Sequence, residues 1–553
     1  MTDQSSLSTV DPNSGYCSAT KIFHSLRTPV TLPPLTTPLS ISDYVLSLLY
    51  VSPHFSPSSS LLIDAGSGNS LSYSSFLRHV DSLSSSLPPI PARHVALVVS
   101  PPSFHIPVLY FSLLSLNVVV SPANPLSTPS ELTHLVSLSN PFIIFTVSSL
   151  LPNFSSEIVK NVRVILLDSP EFDSMLTRPS QITPRRRVAA VNQDDSAVIL
   201  YSSGTTGRVK GVELSHRNLI ALTAGYYERH QEDESTRETR QVSLVPLPLF
   251  HVFGFTMLLR AVSLSETLVM MERFDFEKML SAVEKYKVTY MPVSPPLIVA
   301  MAKSDLVKKY DISSLNVLGC GGAPLGKEVA ERFKARFPDV EIIQGYGLTE
   351  SGGGVSSTIG PDECERYGSV GRLQELMLAK IVDPSTGEAL PPGKEGELWL
   401  HGPTIMKGYV GNKEATAETL LPDGWLKTGD LCYFDKDGCL YIVDRLKELI
   451  KYKAYQVPPA ELEHLLLSHS DIADAAVVPY PDEEAGEIPM AFVVRKPGSH
   501  ISGTQVMEYV AKQVTPYKRI RRVSFVDAIP KNPSGKILRR ELVNLATRGK
   551  SKL

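Results

Sequence analysis

The chain has 553 residues, 42% of them apolar, and a formal net charge of −3. That length and apolar content exceed what one hydrophobic core holds, so more than one domain is expected. A near-neutral balance with no basic stripe or polybasic tail speaks against nucleic acid and against an anionic membrane surface as partners.

In chain order, residues 1–40 are rich in Ser, Thr and Pro and read as a flexible, partly extended N-terminal arm and not a packed element. The polar start has no charged region followed by an apolar one, so it is no secretory signal. From about 41 to 446, short β-branched runs (VALVVS at 95–100, FIIFTV at 142–147, VRVILLD at 162–168, AVILYSS at 197–203) alternate with amphipathic stretches such as ELTHLVSL and FEKMLSAVEKY. That alternation predicts an α/β fold with largely parallel sheets. The apolar stretch from Phe104 to Val120 is long enough for a membrane span. His105, Pro107, Asn117 and the following PANP make it a buried helix running into a strand instead. From about 393 the strands shorten and turns multiply, which predicts a small β-subdomain. Residues 447–553 change texture again and read as a separate α+β unit. The five cysteines are scattered, with no C-x-x-C pair, which predicts a reduced compartment without disulfides or a zinc site. The final Ser551-Lys552-Leu553 matches the peroxisomal address read by an import receptor.

Five segments carry chemistry. SSGTTGRVKG (202–211) follows a strand and precedes a helix capped near Ser215. Gly204 and Gly207 allow close backbone approach. Ser202, Ser203, Thr205 and Thr206 supply hydroxyls and Lys210 a positive charge, a set suited to polyphosphate. It is not a Walker A loop, since no Gly-Lys-Ser/Thr ends it. In QGYGLTE, Gln344, Gly345 and Gly347 frame a tight turn. Tyr346 offers a flat face to a base, and Thr349 and Glu350 offer oxygen ligands to Mg²⁺. KTGD and DRLKEL bring Asp430 and Asp444 for ribose hydroxyls and Arg445 for a hydroxyl or phosphate. PKNPSGKILRREL presents Lys536 in a Pro/Gly-rich loop ahead of a helix.

These motifs, with YIVDRLKELIKYKAYQVPPAELE between them, resemble in order and spacing the adenylate-forming superfamily, and most closely plant 4-coumarate–CoA ligase-like proteins. The resemblance implies a large N-terminal domain of two α/β subdomains plus a small β-barrel, and a mobile C-terminal lid. It implies ATP-dependent acid–CoA ligation in two steps, with Mg²⁺ accompanying ATP and CoA as the second substrate. Lys536 then serves adenylation. Lys451 and Gln456 line the site in the two lid positions, Lys447 is the hinge, and His251 gates the acid pocket. Tyr346 stacks on adenine, Asp430 and Arg445 hold ribose or phosphate, and Thr349 and Glu350 contact Mg·ATP. The acid pocket falls to Phe253, Met257, Gly321, Gly322, Ala323, Gly352, Gly353 and Gly354.

Three departures concern the acid. Hydroxycinnamate ligases carry a Tyr where Phe253 stands and in some cases a polar residue where Met257 stands. A buried hydroxyl left unpaired costs about 1–3 kcal/mol, so the wall favours an apolar acid over 4-coumarate. The discrimination is limited to about 10²-fold, because an apolar pocket rejects an added hydroxyl weakly. Gly353 and Gly354 replace Pro and Val, which predicts a deeper pocket or a looser floor. Ala454 replaces a Gly on the CoA side. Medium- or long-chain fatty acids and jasmonate-precursor acids fit first; cinnamate or benzoate-type acids follow, and a luciferase-like oxygenase shares the same motifs.

Overall fold

The computed structural model describes residues 10–178, 190–202, 209–234, 240–453, 455–532 and 535–548. Two α/β layers form the bulk of the chain. In the first, Val95–Val99, Val119–Ala123, Ile143–Thr146, Arg163–Leu166 and Ser196–Ser202 pair in parallel, with Lys210–Ser215 and Gly408–Tyr409 antiparallel at one edge. The inner strands are continuous β-branched runs because helices cover both faces. The apolar stretch after Phe104 folds as the helix His105–Ser115, buried from Ile106 to Leu114, and then the strand Val119–Ala123. No helix among the described residues is long and apolar enough to cross a membrane.

The second layer has nine strands. Its parallel centre runs Glu341–Tyr346, Val317–Cys320, Tyr290–Val293, Val242–Val245, Thr267–Met270 and Ser60–Asp64. One face packs on the helices Phe276–Tyr286, Pro295–Lys303 and Lys327–Arg336 through Met291, Leu318 and Ile342. The other faces the helices His216–Glu234 and Val252–Ser263.

The expected small barrel is an antiparallel sheet whose strand path stays open, from Tyr16–Cys17 at one end to Leu440–Arg445 at the other. The arm expected over 1–40 is corrected between Tyr16 and His24, and its residues 1–9 lie outside the described residues. Tyr16–Cys17 and Ile22–His24 form a hairpin that pairs with Leu378–Val382. Phe23 is fully buried, its ring stacked on Phe434 at 4.3 Å. Two- and three-residue strands leave no periodicity to read, and burial of one aromatic ring outweighs the Ser/Pro-rich composition around it.

Residues from Ile450 onward build a fourth sheet, with the hairpin Ile472–Asp482/Gly486–Arg495 at its centre. The helices Pro459–Ser468, Gly503–Ala511 and Arg539–Arg548 complete this unit.

Candidate active site

A cavity of about 490 Å³ lies between the large domain and this C-terminal unit. The strand Glu341–Tyr346 delivers Tyr346 to its wall, followed by Gly347 and Leu348. The neighbouring hairpin sets Asp430 opposite Arg445. The Tyr346 hydroxyl donates to Asp430 Oδ2 at 2.5 Å, and Arg445 Nε lies 3.2 Å from Oδ1. Asp430 is 3% exposed. Its burial pushes the carboxyl pKa up, against the pull of Arg445 and the Tyr346 hydrogen bond. Gln344 is buried behind Tyr346, with no partner for its Nε2 among the described residues.

Lys536 enters the same cavity from the C-terminal unit. Its N–H donates to Asn532 Oδ1 at 2.9 Å, closing a small turn. Gly535 in that turn has φ +84, and a Cβ there would come 2.8 Å from Ser294 Oγ of the large domain. Glycine therefore serves both the backbone angle and the close approach. Burial lowers the Lys536 pKa, as does Arg445; Glu448 and Asp430 oppose them.

A charged cluster beneath Lys536 went unread in the sequence. Arg539 grips both oxygens of Glu463, reaches Glu448 Oε2 at 2.7 Å and donates to the Val477 carbonyl. Asp444 accepts from the backbone N–H of Arg445 at 2.7 Å and of Ala460 at 3.0 Å, joining the two domains. Burial pushes the Asp444 carboxyl up to about 7. Farther out, Lys303 donates to the carbonyls of Leu467 and Ile472, and Arg332 to that of Ser468. These three carbonyls and Ala460 hold the C-terminal unit in the orientation that presents Lys536.

On the phosphate side, Ser203, Gly204, Thr205, Thr206 and Gly207 lie outside the described residues. Ser202 and Lys210, at the two ends of that loop, pair across antiparallel strands. The Glu350 carboxylate accepts from Ser202 Oγ at 3.2 Å and from the Tyr409 hydroxyl at 2.9 Å, and Lys210 Nζ lies 4.5 Å over the Tyr409 ring. Thr349 adjoins Glu350 in a single 3-10 turn. Among the described residues no three carboxylate, His or Cys groups converge as a metal cage. Glu350, beside the loop expected to take phosphate, is a donor that fits Mg²⁺, which keeps waters and takes its other ligands from phosphates.

The other candidates are not all brought together. Lys451 and Gln456 are cross-strand partners, both exposed and away from the cavity. Lys447 is exposed in the turn between Leu440–Arg445 and Ile450–Tyr452. Ala454 and Ser551-Lys552-Leu553 lie outside the described residues. Gly322 and Ala323 line the cavity with Gly345. His251 caps the helix Val252–Ser263, its ring accepting from the Phe253 N–H, and burial lowers its pKa. The Phe253 ring passes 3.4 Å from where a Cβ on Gly321 would stand, and Met257 follows one turn along.

The glycine run 352–354 does not deepen the pocket. A Cβ on Gly354 would come 2.6 Å from Gln374 Oε1 and 2.9 Å from Leu222 Cδ1, and one on Gly353 3.0 Å from Val252 Cγ2. One on Gly352 would stand 3.4 Å from the Thr404 carbonyl. Neighbouring side chains and backbone fill the space the absent side chains leave.

Known proteins agree with this layout. The family described as AMP-binding enzyme matches residues 53–410, and the AMP-binding enzyme C-terminal domain matches 461–536. The chain is 58% identical to 4-coumarate–CoA ligase-like 9 of Arabidopsis thaliana, over 98% of this chain and 97% of that protein. It is 46% identical to peroxisomal OPC-8:0-CoA ligase 1 of the same plant, over 98% and 99%. A crystal structure of ATP-bound MatB from Rhodopseudomonas palustris superposes with a TM-score of 0.80 at 24% identity, covering 92% of this chain and 99% of that one, and shares its fold. With ATP and CoA as the family's substrates, the chain belongs to the adenylate-forming AMP-binding enzymes and is an acid–thiol ligase of the plant 4-coumarate–CoA ligase-like group.

Proposed function

We propose that this ligase converts an apolar carboxylic acid, a medium- or long-chain fatty acid or a jasmonate-precursor acid, into its CoA thioester in peroxisomes. The observation that carries the two-step reading is Lys536 of the C-terminal unit sharing one cavity with Tyr346, Asp430 and Arg445. In the first step a carboxylate oxygen attacks the α-phosphorus of ATP and pyrophosphate leaves. Lys536 stabilises the charge shared by carboxylate and phosphate, while Asp430 and Arg445 hold the nucleotide. Glu350 would hold the Mg²⁺ that accompanies ATP, and the ion would supply neutralisation of phosphate charge. In the second step CoA thiolate attacks the acyl carbon and AMP leaves. The unit carrying Lys536 turns about Lys447 between the steps, which brings Lys451 and Gln456 to the site. Docking of the unit also excludes water from an acyl adenylate that hydrolyses readily.

The apolar acid follows from Phe253 at the gate, where a hydroxyl partner is absent. The peroxisomal assignment follows from Ser551-Lys552-Leu553 and agrees with the 46%-identical peroxisomal relative. Pyrophosphate release across cinnamic, benzoic, fatty and cyclopentanone-alkanoic acids, each with and without CoA, tests the reading. A strong preference for 4-coumarate overturns the apolar assignment.

A further inference from the structure

The face of the second sheet toward the helix Val252–Ser263 is paved with glycine. Gly319 and Gly321 lie on one face of the strand Val317–Cys320 and its continuation, and Gly345 follows on the adjacent strand. Above this floor the helix sets Phe253, Met257 and Arg260 in successive turns. At the Gly321 end the Phe253 ring covers the floor. At the Gly319 end a different ring does so. A Cβ on Gly319 would overlap the hydroxyl of Tyr290, which reaches across from the neighbouring strand.

Tyr290 lies on a central strand under a helix, yet it keeps accessible surface, as do Ile343 and Phe253 along the same row. Desolvation by surrounding protein pushes its pKa up to about 12. Accessible surface on a group so enclosed faces an interior space, not bulk water. The guanidinium of Arg260 stacks 4.3 Å over the ring. Its charge is matched by Glu266 at 2.9 Å, with Gln241 Oε1 at 3.4 Å. Among the described residues the Tyr290 hydroxyl has one acceptor, the thioether of Met257 at 3.9 Å. Sulfur is a weak acceptor, so the O–H donor is barely spent.

We infer that Tyr290 is a specificity-determining residue at the far end of the acid channel, donating a hydrogen bond to an uncharged oxygen carried distally on an otherwise apolar acid. This rests on the acid–CoA ligase reading above. A keto oxygen fits: it accepts and does not need to donate. A second carboxylate does not, because Arg260 is already neutralised and a buried unpaired anion is costly. The partly exposed Phe253, Ile343 and Tyr290 mark the course of that channel, from the gate to the hydroxyl.

The test uses straight-chain acids of increasing length, each paired with an analogue carrying a keto group next to its terminal carbon, and reads pyrophosphate release by the full chain. At the best-used length the wild type prefers the keto acid by about 3- to 10-fold in kcat/KM, the range of one neutral hydrogen bond. Tyr290→Phe brings the keto and plain acids to the same kcat/KM, removing that preference. A wild type with no keto preference at any length overturns the proposal whatever the variant does, as does a variant whose preference matches the wild type. A wild type that releases no pyrophosphate with any of these acids overturns the underlying reading instead, before the variant is made.

Discussion

Lys536 and Lys451 belong to the same C-terminal unit, and the structure separates them: one is inside the cavity, the other on the surface. Replacing each by Ala therefore acts on different steps. Lys536 is held in a partly dry site beside Arg445, where its charge is little screened by water. Loss of one pre-positioned donor to transition-state charge costs about 3–4 kcal/mol, or about 10²- to 10³-fold in rate. ATP–pyrophosphate exchange with a good acid substrate reports adenylation alone, so Lys536→Ala should fall by that factor. Lys451→Ala should stay within about 2-fold in exchange while slowing thioester release from preformed acyl adenylate by about 10-fold or more. Equal loss of exchange in both variants, or none in Lys536→Ala, refutes the division of labour.

Asp444 has a carboxyl pKa raised by burial to about 7, so the folded state favours the protonated form. Its contribution to stability is fully present below about 4 and is lost as pH rises through 7. Asp444→Asn, which keeps the acceptor for Ala460 N–H, should gain in melting temperature over wild type between pH 4 and 7 and level off above; a pH-independent difference refutes this. Arg539→Met strands Glu463 and Glu448 under the cavity and should destabilise the C-terminal unit by about 3–5 kcal/mol, read by calorimetry and by protease cleavage within 450–548. Gly354→Val should cost about 1–3 kcal/mol through collision with Gln374 and Leu222, with no gain in hydroxycinnamate activity.

The parallel strands were legible because both faces are buried, which leaves uninterrupted runs such as VALVV. Tyr346, Asp430, Arg445 and Lys536 were legible as motif positions, and they converge. What stayed hidden depends on distant partners. Nothing local in PAELEH marks Glu463 as half of a buried ion pair with a residue 76 positions away. Nor does SGGGV reveal that Gln374 and Leu222 occupy the room the missing side chains leave. Tyr290 reads as an ordinary strand tyrosine until Gly319 is found beneath its hydroxyl.

The N-terminal hairpin has a consequence for synthesis. Phe23 meets its strand partner at Ala379 and its ring partner at Phe434, and Arg27 meets Glu363. At about 5–20 residues per second, the ribosome needs on the order of 20–70 seconds after Phe23 to supply that strand. During this interval an apolar aromatic hairpin waits without its sheet. Conversely, a chain that loses its first 24 residues uncovers Leu378 and Ala379, while Ile381 and Val382 keep their pairing with Ala389–Leu390, and the freed segment is a template for pairing with another copy. Start-site choice and N-terminal fusions therefore bear on the solubility of the nascent enzyme, although the hairpin does not line the cavity that holds Lys536.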